Sequence, residues 1–140
     1  MAIAPAQESI SARVVAACEA DWEAHKSDCS GFVRAVAADL GVTLHGLANT
    51  ITDRIQKAPW TVLKSGKEAA QQASKGLVIG GLKASRHGHV VVVVPGPLAH
   101  GKYPTAYWGH LGGVGRKNTT INWAWNHKDR DRVIYACHRL

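Results

Sequence analysis

A cysteine that could act as a nucleophile lies where a polar loop meets an apolar helix. Cys29 stands in the segment Asp28-Cys29-Ser30-Gly31-Phe32, and the apolar residues that follow recur at helical spacing. The N-terminus of a helix carries partial positive charge and unpaired N–H groups, which favour a thiolate over a thiol and can hold an oxyanion. A lone cysteine can also be an inert, buried apolar side chain. The position therefore predicts a nucleophilic role for Cys29 and leaves a purely structural one open.

A thiol nucleophile needs an imidazole nearby to take its proton and later give one to the leaving group. Of the eight histidines, His89 follows Gly88 at the start of the most apolar strand, where its side chain can emerge at the end of the sheet. His110 lies in the next predicted strand, where hairpin pairing could bring it beside His89. His110 is a candidate to orient that imidazole; it could equally face water, and a backbone carbonyl of its strand could do the same work. Five others lie in polar surroundings that predict solvent exposure: His25, His45, His100, His127 and His138.

The sequence also contains residues that could form a metal site or a nucleic-acid surface. His87 and His89 share a strand face at a spacing that zinc sites use, with Cys29 as a third ligand, but no acidic partner or second cysteine accompanies them. The formal net charge of +7 suggests nucleic acid, yet the lysines and arginines are scattered and the one dense run, 127–132, alternates bases with acids. Trp123 and Trp125 could line a groove for sugar or peptide, or pack in the core. Metal and nucleic-acid binding are therefore disfavoured.

Hydrophobic periodicity predicts the elements that position these residues. Helices are expected over residues 9–26, from 29 or 30 to 40, over 47–57 and over 65–75, the last opened by a capping box of Ser65 and Glu68. The pattern then changes to strands over 76–82, 88–94, 105–111, 120–125 and 132–138, with hairpin loops at 95–104 and 112–118. The valines at 90–94 predict a strand covered on both faces. The expected fold is α+β, with N-terminal helices packed on a central antiparallel sheet.

Length and composition limit the classes of protein that remain. The 140 residues, 46% of them hydrophobic, supply one core and predict a single domain over residues 1–140. The longest apolar run, 90–94, ends at Pro95 and is too short to span a bilayer. No basic residue precedes Arg13, so no secretory signal is expected and synthesis in the cytoplasm is predicted. The three cysteines are an odd number, which leaves at least one thiol unpaired in a monomer.

Two motifs, in this order, resemble those of a known family. The segment 28–33, Asp-Cys-Ser-Gly-Phe-Val, followed later by Gly88-His89-Val90, is similar to the papain-like peptidoglycan hydrolases of the NlpC and CHAP kind. The similarity is closer to the first family of type VI secretion amidase effectors. It covers most of the chain, and its further matching segments are Ala17-Cys18 with Trp22, 37–42, 81–83, 96–98, 102–104, Trp125-Asn126 and 129–132.

The resemblance implies a papain-like cysteine amidase that acts as a toxin and lyses rival bacteria. Its reaction would be hydrolysis of the amide between the γ-carboxyl of D-glutamate and meso-diaminopimelate in peptidoglycan stem peptides. Cys29 would be the nucleophile, the backbone N–H groups of Cys29 and Ser30 would hold the oxyanion, and His89 would be the general base and acid. His110 or the carbonyl of Trp108 would orient His89. No cofactor and no metal are implied.

The resemblance also implies partners and a route. A type VI secretion system would carry the protein, a monomer made without a signal peptide, from the producer's cytoplasm into the target's periplasm. A cognate immunity protein would cover the cleft that holds Cys29 and His89, and neither nucleic acid nor membrane is an expected partner. With Cys29 kept reduced, Cys18 and Cys137 would be free to form a disulfide. Two alternatives stay open: a papain-like peptidase or deamidase acting on protein, and a non-catalytic module that binds wall or nucleic acid.

Overall fold

The computed structural model describes residues 9–140, in which helices dominate the first half and strands the second. The helices are α1 (Ile10–His25), α2 (Cys29–Asp39), α3 (Ala48–Arg54) and α4 (Gly66–Gln72). The strands are β1 (Thr61–Leu63), β2 (Gly76–Leu82), β3 (His89–Val93), β4 (Thr105–Trp108), β5 (Arg116–Thr120) and β6 (Ile134–Arg139). Two short 3-10 helices, Ile121–Trp123 and Arg130–Arg132, lie between β5 and β6. The predicted α+β class is confirmed.

The strands form one antiparallel sheet in the order β1-β6-β2-β3-β4-β5. At its centre β2 and β3 pair Leu82 with His89. On its other side β3 pairs with β4, where Val92 lies opposite Tyr107. Because neighbouring strands run in opposite directions, the start of β3 lies beside the end of β2 and the end of β4. His89 therefore begins its strand at the same sheet end as the loop that carries His110.

The central strand β3 is buried on both faces, as its run of valines predicts. Val90 and Val92 pack into a cluster with α1, α2 and α3, whereas Val91 and Val93 pack into a second cluster on the opposite face. The second cluster includes Ala69 of α4 and residues that follow β5. Side chains alternate between the two faces of a strand, so a continuous apolar run can be fully buried only when both faces are covered. The sheet is thus the middle layer between two hydrophobic cores.

α1 and α2 follow the predicted boundaries, whereas α3 and α4 each end three residues before the predicted end, at Arg54 and Gln72. The Ser65 hydroxyl accepts a hydrogen bond from the Glu68 N–H at 3.1 Å, as expected of a cap. The Glu68 carboxylate, however, accepts from the N–H of Lys64 at 3.0 Å, not from that of Ser65. The predicted reciprocal capping box is therefore only half formed. α2 stops as predicted, with Gly41 in the left-handed region at φ 79°.

The second half of the sheet differs from its predicted boundaries. The predicted strand over 120–125 is wrong: Ile121 is buried, and its carbonyl accepts from the N–H groups of Ala124 and Trp125 at 2.9 and 3.2 Å, which turns the chain. The strand there is β5, which includes residues assigned to the hairpin loop at 112–118. The predicted strand over 105–111 ends at Trp108, because the His110 N–H donates to Lys26 instead of to a neighbouring strand. β1 lies outside all predicted strands.

The predicted disulfide between Cys18 and Cys137 is wrong. All three cysteines of the chain are free and buried. Cys18 belongs to the cluster on the side of α1–α3, and Cys137 belongs to the cluster on the opposite face of the sheet. A disulfide requires Cα atoms within about 7 Å of each other in a specific geometry. Because the sheet lies between the two side chains, no bond forms without rearrangement of the core.

Two predictions involve residues 1–8, which lie outside the described residues. The single domain over residues 1–140 stays a prediction, and so does the absence of a secretory signal. Within residues 9–140, no helix combines the length and the apolar character that crossing a bilayer requires.

Candidate active site

Cys29 is the first residue of α2, as predicted, and Asp28 caps that helix. Oδ1 of Asp28 accepts a hydrogen bond from the N–H of Gly31 at 3.0 Å and lies 3.2 Å from the Ser30 hydroxyl, which donates to it. A Cβ atom at residue 31 would lie 2.2 Å from the Asp28 carboxylate, so only glycine allows this close approach. The carbonyl of Asp28 accepts from the N–H of Phe32. The cap thus fixes the turn that presents the Cys29 side chain.

A backbone clamp holds the segment before Cys29 against the loop after β4. The carbonyl of Lys26 accepts hydrogen bonds from the N–H groups of His110 at 3.0 Å and Gly115 at 2.7 Å. Gly109 packs so closely on this segment that a Cβ atom there would lie 2.2 Å from the carbonyl of His25. The start of α2 is therefore tied to the end of the sheet at which β3 begins.

His89 is the first residue of β3, and aromatic rings surround its side chain. The ring of Trp125 lies edge-on to it with centroids 5.0 Å apart, and that of His110 lies edge-on at 5.9 Å. The Nε2 atom of His89 is buried and has no hydrogen-bond partner among the described residues. The structure therefore brings His110 beside His89, as predicted, with a ring contact and no hydrogen bond to Nε2.

The sulfur of Cys29 faces the start of β3. Burial raises the pKa of the Cys29 thiol, and the Asp28 carboxylate raises it further. The backbone of Val90, Ser30 and Cys29 itself acts in the opposite direction and lowers that pKa, because nearby N–H groups favour the thiolate. Val90 directly follows His89 in the chain. The sequence-predicted nucleophile and the strand of the predicted base are therefore adjacent in the fold.

Burial also sets the charge of the imidazole. It lowers the pKa of His89 to about 4, and the neighbouring His110 adds to this by charge repulsion. At neutral pH Cys29 is thus a thiol and His89 a neutral imidazole. A neutral imidazole is the form that can accept a proton. The arrangement is suited to moving a proton from the sulfur during a reaction rather than to a permanent ion pair.

Two cavities meet at the segment before β3. One, of about 410 Å³, is lined by Cys29 together with Leu47, Asn49 and Leu111. The other, of about 440 Å³, is lined by His89 together with Lys83, Trp125 and Arg132. His87 and Gly88 belong to both linings. We call these two neighbouring cavities the cleft; Cys29 lines one of them and His89 lines the other.

Several further contacts hold this cleft and the segments around it in place. Asn49 of α3 donates to the carbonyl of Ala84 at 2.7 Å and accepts from its N–H at 3.1 Å, which anchors the loop before β3. Gly88 packs on the same asparagine, and a Cβ atom there would lie 2.2 Å from its side-chain oxygen. The indole of Trp22 donates to the carbonyl of Trp108 at 3.0 Å. Sequence signals existed for Gly88, next to His89, and for Trp22, which belongs to the segments of the family resemblance; none indicated Asn49.

The structure also places the other residues that the sequence singled out, namely the metal-site candidates, the tryptophans and the remaining histidines. His87 is exposed, and among residues 9–140 no group of three or more histidine, cysteine or acidic side chains is arranged to hold a metal ion. Trp123 is 65% exposed with Arg116 over its ring at 5.3 Å, whereas Trp125 packs against His89. Of the five histidines predicted to face solvent, three are exposed and two are half-buried; the half-buried ones are His25 and His138.

The layered fold and the Cys29 helix beside the His89 strand define a papain-like α+β protein. Over 145 aligned residues the chain is 42% identical to the peptidoglycan amidase Tse1 of Pseudomonas aeruginosa, and the match covers 95% of this chain and 94% of that protein. No protein-family model matches the chain. Identity at this level over nearly both whole chains shows common descent. The chain belongs to the family of this amidase, which confirms the predicted family.

Proposed function

We propose that the protein is a cysteine amidase of peptidoglycan that cuts the bond between the γ-carboxyl of D-glutamate and meso-diaminopimelate. The observation that carries the proposal is the position of Cys29, at the N-terminus of α2 and close enough to Val90, the residue after His89, for the Val90 backbone to lower the pKa of the thiol. The full-length similarity to an enzyme named as a peptidoglycan amidase supports the substrate class. The bond itself comes from the resemblance noted in the sequence.

In the first half of the reaction, the Cys29 thiol gives its proton to the neutral His89 imidazole and the sulfur attacks the γ-carbonyl carbon. The carbonyl oxygen becomes an oxyanion, which the N–H groups of Cys29 and Ser30 stabilise. Support for these two donors comes from the cap: the N–H groups of Gly31 and Phe32 donate to Asp28, whereas the backbone of Cys29 and Ser30 lowers the pKa of the thiol.

In the second half, the His89 imidazolium gives its proton to the departing amino group of diaminopimelate as the C–N bond breaks. This leaves a thioester between Cys29 and the glutamyl γ-carbonyl. His89 then takes a proton from a water molecule, the hydroxide attacks the thioester, and the sulfur leaves and recovers a proton from His89. The lowered pKa of His89 makes its imidazolium a strong acid, which favours both donations.

For the group that orients His89, the contacts favour His110 over the carbonyl of Trp108. That carbonyl accepts from the Trp22 indole and is covered by Gly115, where a Cβ atom would lie 1.8 Å away. The ring of His110 is in edge contact with the ring of His89. We assign His110 as a positioning residue; burial lowers the pKa of His89, and the charge of His110 lowers it further.

The biological setting of the proposal follows the family. A type VI secretion system delivers the protein from the cytoplasm of the producer into the periplasm of a rival cell, where it acts as a monomer without metal or cofactor. An immunity protein in sibling cells covers the cleft between Cys29 and His89. The family resemblance and the amidase relative support this setting.

The test is a digest of diaminopimelate-type sacculi followed by mass mapping of the muropeptides. We expect products split between D-glutamate and diaminopimelate with the native chain, and none with Cys29→Ala. Cys137→Ala is the matched control, because it removes a buried thiol from the opposite face of the sheet and leaves the cleft unchanged. Intact stem peptides with the native chain would overturn the proposal, as would cleavage by Cys29→Ala. Cleavage of protein substrates alone would favour a peptidase.

A further inference from the structure

A cavity separate from the cleft is lined by several positively charged side chains. It has a volume of about 420 Å³ and lies among the start of α4, the loop before β4 and the start of β6. Its lining includes four cationic side chains, Lys64, Lys67, Lys102 and Arg130, and one carboxylate, Asp131. We call it the basic cavity. Neither Cys29 nor His89 lines it, so the amidase reaction leaves it without a role.

The single carboxylate does not neutralise these cations. Oδ1 of Asp131 accepts a hydrogen bond from the Tyr103 hydroxyl at 2.7 Å. Within residues 9–140 the salt bridges involve four other cations, Lys26, Lys83, Lys117 and Arg132. Four positive charges and one negative charge therefore give the lining a net charge of +3. Like charges gathered without partners are unfavourable, and an anion between them would relieve the repulsion.

The walls of the basic cavity are held in place. The guanidinium of Arg130 lies over the ring of Tyr103 at 4.7 Å, and its Nε atom is buried without a hydrogen-bond partner among the described residues. Facing it, Gly66 packs so closely on the loop before β4 that a Cβ atom would lie 2.2 Å from the carbonyl of Lys102. This contact fixes the segment of Lys64 and Lys67 beside Lys102. The fold thus fixes the backbone that carries the lysines, whose side chains are themselves exposed.

We infer that the basic cavity binds a phosphate group. Three lysines act as separate point charges, which suits a compact anion with several charged oxygens, whereas a planar carboxylate is matched by a single arginine. A buried N–H without an acceptor is costly and gains a partner when such an anion binds. The volume lies within the range of about 300–1,000 Å³ typical of ligand cavities, so a phosphate with a small organic part also fits.

Binding is measured on the full chain by amide NMR at constant ionic strength, with inorganic phosphate and glycerol 3-phosphate as soluble probes and chloride as the reference salt. We expect saturable shifts of the Lys67, Lys102 and Arg130 amides with phosphate. Retention on phosphatidylglycerol vesicles, reversed by inorganic phosphate, would identify a lipid headgroup as the source; binding of the soluble probes alone would identify a free phosphate ester. Shifts with phosphate that equal those with chloride would overturn the inference.

The variant Lys67→Gln/Lys102→Gln is expected to weaken phosphate binding at least tenfold. The matched control is Lys57→Gln/Lys75→Gln, which removes the same charge from exposed lysines outside this lining and is expected to bind like the native chain. Equal affinity in both double variants would contradict the site. Hydrolysis of soluble stem peptides should be unchanged in both, so failure of this inference and failure of the proposed amidase activity give different results.

Discussion

Burial determines the protonation states of the two residues on which the proposed chemistry depends. It raises the pKa of the Cys29 thiol and lowers the pKa of the His89 imidazole, because a low-dielectric surrounding disfavours either charged form. Three backbone N–H groups around the sulfur offset part of this effect. The resting pair is therefore neutral, and charge develops only when the sulfur attacks. His110 lies on the solvent side of His89, and its charge lowers the pKa of that imidazole further.

The pH dependence of kcat/KM is expected to reflect the buried imidazole. His89 must be neutral to accept the thiol proton, so activity is lost as the pH falls through about 4, not through the ordinary histidine value of 6.5. In His110→Asn the acid midpoint should move upward, because a repelling charge is gone, with a loss in kcat of about tenfold at most. His89→Asn should lose about 10²- to 10⁴-fold.

The measurement is a pH–rate profile on a soluble stem peptide. A native acid midpoint between pH 6 and 7 would contradict the neutral, buried imidazole. An unchanged midpoint in His110→Asn would remove His110 from its positioning role, since a merely structural contact would alter stability without moving the midpoint.

At the scale of elements, α1 and α2 meet through two carboxylates. Burial, followed by the neighbouring Asp39 carboxylate, raises the pKa of Asp21 to about 6, and Oδ2 of Asp21 is buried without a hydrogen-bond partner among the described residues. Asp39 lies in the last turn of α2, which has no basic residue, and a carboxylate is unfavourable at that end of a helix. The contact is therefore weaker when both groups are ionised. Because α2 begins at Cys29, this unfavourable contact between carboxylates lies in an element of the candidate site.

Asp21→Asn is expected to stabilise the fold above about pH 6 and to have little effect near pH 4. The folded chain holds the Asp21 proton more tightly than the unfolded chain, whose pKa is near the ordinary 3.8, so the associated stability is lost as the pH rises through about 6. The gain should be about 0.5–1 kcal/mol, since both carboxylates are partly exposed.

Thermal unfolding of Asp21→Asn and of the native chain across this pH range measures the difference. Asp39→Asn should give a smaller pH-dependent gain, because it removes the other carboxylate but leaves the burial that contributes most to the raised pKa of Asp21. A gain of equal size at every pH would show that the effect is not titration of this contact.

At the scale of the whole molecule, the sheet divides the side chains into two separate cores. Cys18 and Phe32 belong to the core under α1–α3, and Cys137 and Trp108 belong to the other. Both cores depend on the alternation of β3, whose five residues send neighbours to opposite faces. Cysteines that the sequence leaves free to pair are therefore kept apart by the thickness of the sheet.

The native chain is expected to contain three free thiols even after exposure to air. A non-reducing mass measurement should show no loss of two hydrogens, and alkylation after denaturation should add three groups. The reason is the placement of all three cysteines, each buried and in no disulfide, with Cys18 and Cys137 in different cores. A mass two units lower, with one thiol open to alkylation, would show that a disulfide forms and would contradict this prediction.

Much of the fold could be predicted from the sequence where local signals are strong. α1 and α2 begin within one residue of their predicted starts, and the valines of β3 are buried on both faces. The strand predicted at 120–125 failed because β propensity alone does not include the burial of Ile121, which turns the chain into a 3-10 helix. The hydrogen bond between Lys26 and His110 joins segments that are far apart in sequence, so no local pattern predicts it.

The sequence by itself determined which residues are chemically capable: a capped cysteine at a helix start and a histidine at the start of a buried strand. These depend on local hydrogen bonds and periodicity, which neighbouring residues specify. Only the tertiary structure decided that Cys29 lies close to Val90, that His89 is half-buried beside Trp125, and that Cys18 and Cys137 are separated. Distance and dielectric surroundings arise from packing between remote segments, and these set the pKa values and the possible bonds.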